Sequence, residues 1–468
     1  MQSSHSSSSD TNNQAPDAAA KAVATERQTA LQKTPALWHR LLTWFCRLAF
    51  GSTFIYSGFV KAVDPWGTFY KFNEYFEALG IGMIPNLMLT CVFVLCAVEF
   101  LIGIYVLLGC YRRSTPLLGI MFMAVMLSLT LWIVIKDPVA DCGCFGDALV
   151  ISNWATFWKN IVLTLMIGWL FKYESRTYAL VTPALQWVCA VVSIAFICTI
   201  GAIGYFRQPL IDFRPYPVGE AIYSDDEEVG PEYVFVYTRG KEEKTFSEDD
   251  ELPSEEDGWV FKERKEVGNE ASRSAADTNS KTFRIWDESG NTDMTAEVFE
   301  NNSKVLMLLI PDLATVSPAT TWKINELCDY ATKNNVEMIG VVAASPELIS
   351  EWEELSMPEY EILTAEDTAI KEVARGNPAL VYVEDKIVKW KTTLSAVDTE
   401  EFTTHEKREI MEERLTRGTG KIKLYTGIYI CLLGVLIALS IFPRMLGGLT
   451  HGGKAHRVES SSPDKSAQ

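Results

Sequence analysis

Apolar residues crowd into long runs over 41–205 and again over 423–448, while 206–420 is broken into short apolar pieces among charges. Six runs predict helices that cross a membrane: 41–62, 86–109, 116–135, 157–173, 181–205 and 423–442. A span needs about 20 mostly apolar residues, and soluble core helices rarely stay apolar that long. The first run is less pure, with Arg47 and Lys61 near its ends, and the fourth is short enough to read as tilted or interfacial.

The pattern beyond residue 206 predicts a different kind of structure. "EYVFVYT" (232–238) and "GWVFKE" (258–263) are strand-like pieces in an acidic hairpin and linker region. From 282 the pattern becomes regular. "TFRIWDESGNTDM" predicts a hairpin turning at Asp287–Asn291. "KVLMLLI" (304–310), "EMIGVVA" (337–343) and "YEILTA" (360–365) predict strands, separated by helical patterns. "ALVYVEDKIVKWKTT" predicts a closing hairpin, so the order is βαβ followed by an antiparallel pair.

Composition sharpens this division. The chain is 48% hydrophobic yet carries a net charge of −18, because apolar and acidic residues occupy different segments. So acidic a domain argues against a nucleic-acid partner and leaves membrane lipid and protein as expected partners. The domains expected are a disordered tail (1–35), a four-helix membrane domain (36–175) and a fifth span (176–205). An acidic linker (206–281), an α/β domain (282–400) and a charged helix (401–422) follow, then a sixth span (423–448) and a disordered tail (449–468).

Charge also orients the spans. Lys33 and Arg40, Arg112 and Arg113, Lys172 and Arg176, and Arg444, Lys454 and Arg457 fall on one side of a six-span protein. The positive-inside rule makes that side cytoplasmic. Both termini are then inside, and loop 136–155 and segment 206–422 are outside, which in a Gram-negative cell means an inner-membrane protein with a periplasmic domain.

That outer loop holds "DCGCFGD" (141–147). A disulfide between Cys142 and Cys144 closes a small, strained ring, and strained disulfides are the labile ones. An oxidising compartment permits it. Three readings stay open: a redox pair, a metal site and a structural turn. Metal is disfavoured because no second Cys/His pair lies in an outer loop and only His405 of five histidines is outside. Seven other cysteines, Cys46, Cys91, Cys96, Cys110, Cys189, Cys198 and Cys431, read as small buried side chains in the spans. Cys91 is set apart as a possible third thiol near Cys142. Glu99 inside the second span needs a partner and is a candidate proton relay or quinone contact. Ser57 and Gly58 read as packing residues, and Lys61 and Asp64 as interfacial side chains that snorkel to water.

"FIYSGFVKAVDP" (54–65), "VEFLIGIYVLLGCYRRSTPLLGIMFM" (98–123) and "DCGCFGD" over about 40–175 resemble the DoxX/MauE family, the last segment pointing to its MauE-like branch. The resemblance implies a four-helix bundle and a place in methylamine utilisation, maturing a disulfide-rich dehydrogenase. From the DoxX side it implies quinone-linked sulfur oxidation. The bundle is also similar in layout to vitamin K epoxide reductase proteins, which pass electrons from thiols to a quinone. Residues 282–400 resemble the thioredoxin-like fold of TlpA- and ResA-type proteins, with Pro378 at the cis-proline position. That fold's Cys-x-x-Cys segment corresponds to "PDLATVSPATTW" (311–322), which has no cysteine. Cys328 lies further along the following helix, on its buried face.

The fold expected is therefore an α-helical membrane bundle, four helices plus two further spans, with an α/β thioredoxin-like extramembrane domain. The function expected is an envelope thiol-redox or maturation factor acting through Cys142 and Cys144 on a periplasmic client. The alternatives are a non-enzymatic scaffold presenting a binding module, and a quinone-linked sulfur oxidoreductase.

Overall fold

The computed structural model describes residues 37–82, 84, 87–139, 141–174, 178–223, 283–397 and 422–442, and the backbone alone of 85–86, 233–239, 242–247, 260–266, 417–421 and 443–455. The expected tail 1–35 and the charged stretch 401–416 lie outside the described residues.

The bundle is built from α1 (Leu37–Val63), α2 (Pro65–Ala78), α3 (Pro85–Leu108), α4 (Ser114–Lys136), α5 (Asn153–Lys172), α6 (Gln186–Phe206) and, near the chain's end, α11 (Arg417–Ala455). Among the described residues five helices are long and apolar enough to cross a membrane: Leu87–Leu108, Ser114–Lys136, Asn153–Lys172, Pro183–Phe206 and Ile422–Phe442. Their outward faces are apolar, with Val125, Leu165 and Ile430 more than 60% exposed. Such faces suit lipid and not water. The first expected span is not among the five. Helix α1 is long enough at 27 residues, but Arg40, Arg47 and Lys61 dilute its apolarity. Arg47 and Lys61 turn inward, where both are buried.

Four boundaries differ from expectation. Helix α2 was not foreseen: Asp64 caps it by accepting from Gly67 N, and Pro65 opens it, a standard helix start. Helix α5 is a full 20 residues, not a short interfacial segment. Helix α11 begins at Arg417 and runs to Ala455, so the first residues of the expected disordered tail are helical. The linker forms a three-stranded antiparallel sheet of β1 (Tyr233–Arg239), β2 (Glu242–Ser247) and β3 (Val260–Glu266), in order β2-β1-β3.

The extramembrane α/β domain follows its sequence pattern closely. Its elements are α7 (Thr295–Asn301), β4 (Lys304–Ile310), α8 (Thr321–Lys333), β5 (Glu337–Val342), α9 (Pro346–Ser356), β6 (Glu361–Thr364), α10 (Asp367–Val373), β7 (Ala379–Glu384) and β8 (Ile387–Thr393). The sheet order is β6-β5-β4-β7-β8, with β4, β5 and β6 parallel and β7 and β8 antiparallel. Strand β4 is central, so it is buried on both faces and reads as a continuous apolar run. One face packs against Ile324, Leu327 and Trp352 of α8 and α9. The other packs against Val298, Phe299, Ile370 and Val373 of α7 and α10. The Asp287–Asn291 turn is present, but Trp286 bridges both Asp293 and Thr364 and so joins the edge of the sheet. Tyr216 and Ile222 also enter this core, and Ala221 bridges Ile387. The start of the expected linker is thus part of the domain.

Candidate functional site

The site begins with a close helix contact. A side chain at Gly58 of α1 would lie 2.6 Å from the Phe100 backbone nitrogen of α3, and one at Gly103 would lie 2.6 Å from Ile55 N. Small residues at this crossing let the backbones approach and bring Ser57 and Lys61, one turn apart, against Glu99. The Lys61 ammonium lies 2.8 Å from Glu99 Oε2 and 3.1 Å from Oε1. It also donates to Ser57 Oγ at 2.7 Å and to the Cys144 carbonyl at 2.7 Å. Ser57 Oγ lies 2.9 Å from Glu99 Oε2 and 2.8 Å from the Cys144 carbonyl. Lys61 does not snorkel to the interface, as the sequence pattern had suggested. It is 5% exposed because its partner Glu99 is also buried, at 3%.

The loop above this cluster is held at every turn. Asp141 Oδ2 accepts from Gly143 N at 2.8 Å, and its Oδ1 meets the Lys71 ammonium of α2 at 2.8 Å. Gly143 has φ 61°, and a Cβ there would press on Lys71, so this position requires glycine on two counts. Tyr75 of α2 donates its hydroxyl to the Cys142 carbonyl at 2.6 Å. Phe145 is buried, with the Lys159 ammonium 4.1 Å over its ring.

The two sulfurs stand 3.1 Å apart as free thiols, Cys142 buried and Cys144 partly exposed. Their environments separate them. The hydrogen bond between the two sulfurs, opposed by burial and helped by Lys159 and Lys61, holds Cys144 below the ordinary thiol range. The same bond, with burial, pushes Cys142 well above the ordinary thiol range. The less buried of the two residues is therefore the more acidic one, in the direction a nucleophilic thiolate needs.

The extramembrane domain reaches this loop through one residue. Arg375 follows α10, and its guanidinium is 6% exposed. Its Nη2 lies 2.8 Å from Asp64 Oδ2 and 2.7 Å from Asp147 Oδ2, and its Nη1 donates to the Lys371 carbonyl at 2.8 Å. Tyr70 stacks beneath it. Asp64 is thus a half-buried ion-pair partner as well as a cap, and not a snorkelling side chain. Gln208 Oε1 accepts from Arg375 N at 3.0 Å, beside a second buried net in which Asp212 pairs with Arg214 and Lys391.

The other sequence candidates fall differently. Cys91 is exposed and lies outside the apolar cluster of Tyr75, Ile133, Val139 and Cys142, so it is not brought to the pair. Cys198 and Cys431 are also exposed, whereas Cys46, Cys96, Cys110 and Cys189 are buried as expected. Cys110 and Cys189 are hydrogen-bonded to each other, a pairing that 78 intervening positions concealed. Glu99 Oε2 accepts from both Lys61 and Ser57, and Oε1 accepts from Lys61. Asn377–Pro378 is a cis peptide, and Asn377 Nδ2 donates to the Asp312 carbonyl and Thr315 Oγ1 in the cysteine-free segment. Cys328 is buried, its thiol near the Glu359 carbonyl. Among the described residues no group of three or more His, Cys, Asp or Glu side chains is arranged to hold a metal ion.

Sequence reasoning missed Lys61 as the partner of Glu99, and Arg375 altogether. The Ser57–Lys61 spacing on one helix face was a usable signal for the first. The second had none, since Arg375 lies more than 300 positions from Asp64. No curated protein matches the chain. Residues 39–173, which hold α1 to α5 and the thiol loop, match the family model described as methylamine utilisation protein MauE, and with its five apolar helices the chain is a multi-pass membrane protein with a MauE-like portion.

Proposed function

We propose that this protein is a thiol-exchange factor of the MauE type, in which Cys142 and Cys144 exchange a disulfide with a protein client outside the cytoplasm. The carrying observation is a pair of thiols 3.1 Å apart in one turn, Cys142 buried and Cys144 half-buried, with the loop pinned by Lys61, Lys71 and Tyr75. The step balances as an exchange. A client dithiol gives two electrons and two protons and becomes a disulfide, and the Cys142–Cys144 disulfide becomes a dithiol. A client thiolate attacks the Cys144 sulfur and releases Cys142, and the second client thiol then displaces Cys144. The same steps run backwards in a reductase, so the relative potentials set the direction. Glu99, linked through Ser57 to the Cys144 carbonyl, is the nearest buried carboxylate and the candidate proton acceptor.

The positive residues flanking the helices support an outer position for loop 136–155 and for segment 206–422, in an inner membrane facing a periplasm. The sheet order, with three parallel strands and an antiparallel pair, supports a thioredoxin-like reading of residues 282–400. Without cysteines at 311–322 that domain binds a client and leaves the thiol step to the membrane loop.

Thiol trapping in intact cells tests the function. Cys142 and Cys144 are expected to shift between reduced and oxidised forms, and Cys142→Ser and Cys144→Ser to abolish the phenotype of the wild-type gene. Cysteines that stay in one state, together with fully active serine variants, refute it.

A further inference from the structure

Two clips join the same two chain segments. On the inner side, Lys61 of α1 donates to the carbonyl of Cys144 at 2.7 Å. Three residues further along each segment stand Asp64 and Asp147, and Arg375 Nη2 lies between them at 2.8 and 2.7 Å. The first clip belongs to the bundle. The second comes from the extramembrane domain, inserted from outside and 6% exposed. Its backbone is fixed in turn by Gln208, which accepts from Arg375 N and donates to its carbonyl. A guanidinium reaches two carboxylates at once, which an ammonium does not do as well.

We infer that Arg375 is a positioning residue for the Cys142–Cys144 pair: by tying Asp147 to Asp64 it holds the thiol loop on the end of α1, so that the extramembrane domain completes the redox site. The inference rests on Cys142 and Cys144 being the reactive pair. It makes the domain's docked position a determinant of thiol chemistry, and Arg375 the residue through which undocking is felt at the sulfurs.

The groups facing Cys144 are Cys142 in its own loop, Lys61 and Ser57 of α1, Glu99 of α3 and Lys159 of α5, with Lys71 and Tyr75 of α2 holding the preceding residues. Loss of the outer clip loosens the Cys142 hydrogen bond and the approach of Lys61, which makes Cys144 less acidic. Asp147 separates position from charge. Removal of its negative charge alone makes a nearby thiol more acidic, whereas loss of the clip makes Cys144 less acidic, so the two effects have opposite signs.

The experiment uses the full chain, reduced and purified in detergent. Alkylation of Cys144 by iodoacetamide is followed across pH by mass spectrometry, alongside the thermal unfolding of each variant. The wild-type midpoint is expected below the ordinary thiol value. Asp147→Asn and Arg375→Ala are each expected to raise it by about one unit, and Arg375→Lys to recover less than half of the Arg375→Ala shift. A midpoint that falls or stays put in Asp147→Asn, with unfolding unchanged, overturns the inference, as does full recovery by lysine. Asp147 is 43% exposed, so its variant decides the matter even where Arg375→Ala does not fold. A wild-type Cys144 that resists alkylation throughout removes the thiol-exchange reading itself, which distinguishes that failure from a failure of the Arg375 role.

Discussion

Lys61 and Glu99 are worth more to the site together than either is alone. Their side chains are 6% and 4% exposed, so a lone charge left at either position has neither water nor a counter-ion. Breaking a buried pair by removing one partner typically costs about 3–5 kcal/mol, while replacing both by apolar side chains is often close to neutral. Lys61→Met and Glu99→Gln are therefore each expected to lower the thermal unfolding temperature of the purified protein sharply. The Lys61→Met, Glu99→Gln double variant is expected to lose less than the sum of the two. Additive losses measured by the same unfolding curves would show that the pair is not coupled. The sequence disclosed this site unevenly. Cys142 and Cys144 are one residue apart, so their proximity needs no fold. Glu99 was legible as an ionisable group in an apolar run, but its partner was not, because Lys61 sits near a helix end where solvent is the simpler expectation. Burial there is set by the overlying thiol loop, which closes on Lys61 through the Cys144 carbonyl.

At the scale of elements, the α1–α3 crossing is what makes the site possible. Gly58 has the Phe100 nitrogen and the Cys96 carbonyl within 3 Å of where a Cβ would sit, and backbone atoms cannot step aside as a flexible side chain can. Overpacking of this kind costs about 1–3 kcal/mol. Gly427, on α11, has nothing within 4 Å of its Cβ position. Gly58→Ala is expected to lower the unfolding temperature and to loosen the Lys61–Glu99 contact, while Gly427→Ala leaves the protein unchanged or slightly more stable, as replacing a helical glycine usually does. Equal effects of the two in a side-by-side melt would contradict this account. Strand and helix positions from 304 to 393 were readable because short apolar runs there are bounded by turn residues, with Ser345 capping α9. Helix α2 was not, because its aromatic-rich stretch lacks an apolar period, although Asp64 followed by Pro65 was a start signal. The three-stranded sheet was only half visible, since "EEKTFS" of β2 reads as surface.

For the whole molecule, the consequence of interest is that the Asp64–Arg375–Asp147 net joining bundle and extramembrane domain adjoins a second net of Asp212, Arg214 and Lys391, and acidity acts on the second. Lys391 is pulled down to about 8, by burial first and then by Arg214, against the opposing pull of Asp212. The unfolded chain holds that proton up to the ordinary lysine value of about 10.4. Between about pH 8 and 10.4 the unfolded state thus binds more protons than the folded one, and stability from this group rises with pH. Below that window both states are charged and the folded state carries the whole burden of a buried ammonium. Lys391→Met removes the titration, so the unfolding temperature of the wild type is expected to gain on that of the variant steadily from pH 8 to 10. A gap that stays constant across that range would mean that Asp212 and the Tyr216 carbonyl hold Lys391 fully charged. Because Gln208 hydrogen-bonds both Arg214 and Arg375, a change at Lys391 has a route to the thiol loop. The Cys144 alkylation midpoint, read in the same Lys391→Met protein, is expected to rise if the two nets act as one seam, and an unmoved midpoint would separate the docking of the domain from the chemistry of the pair.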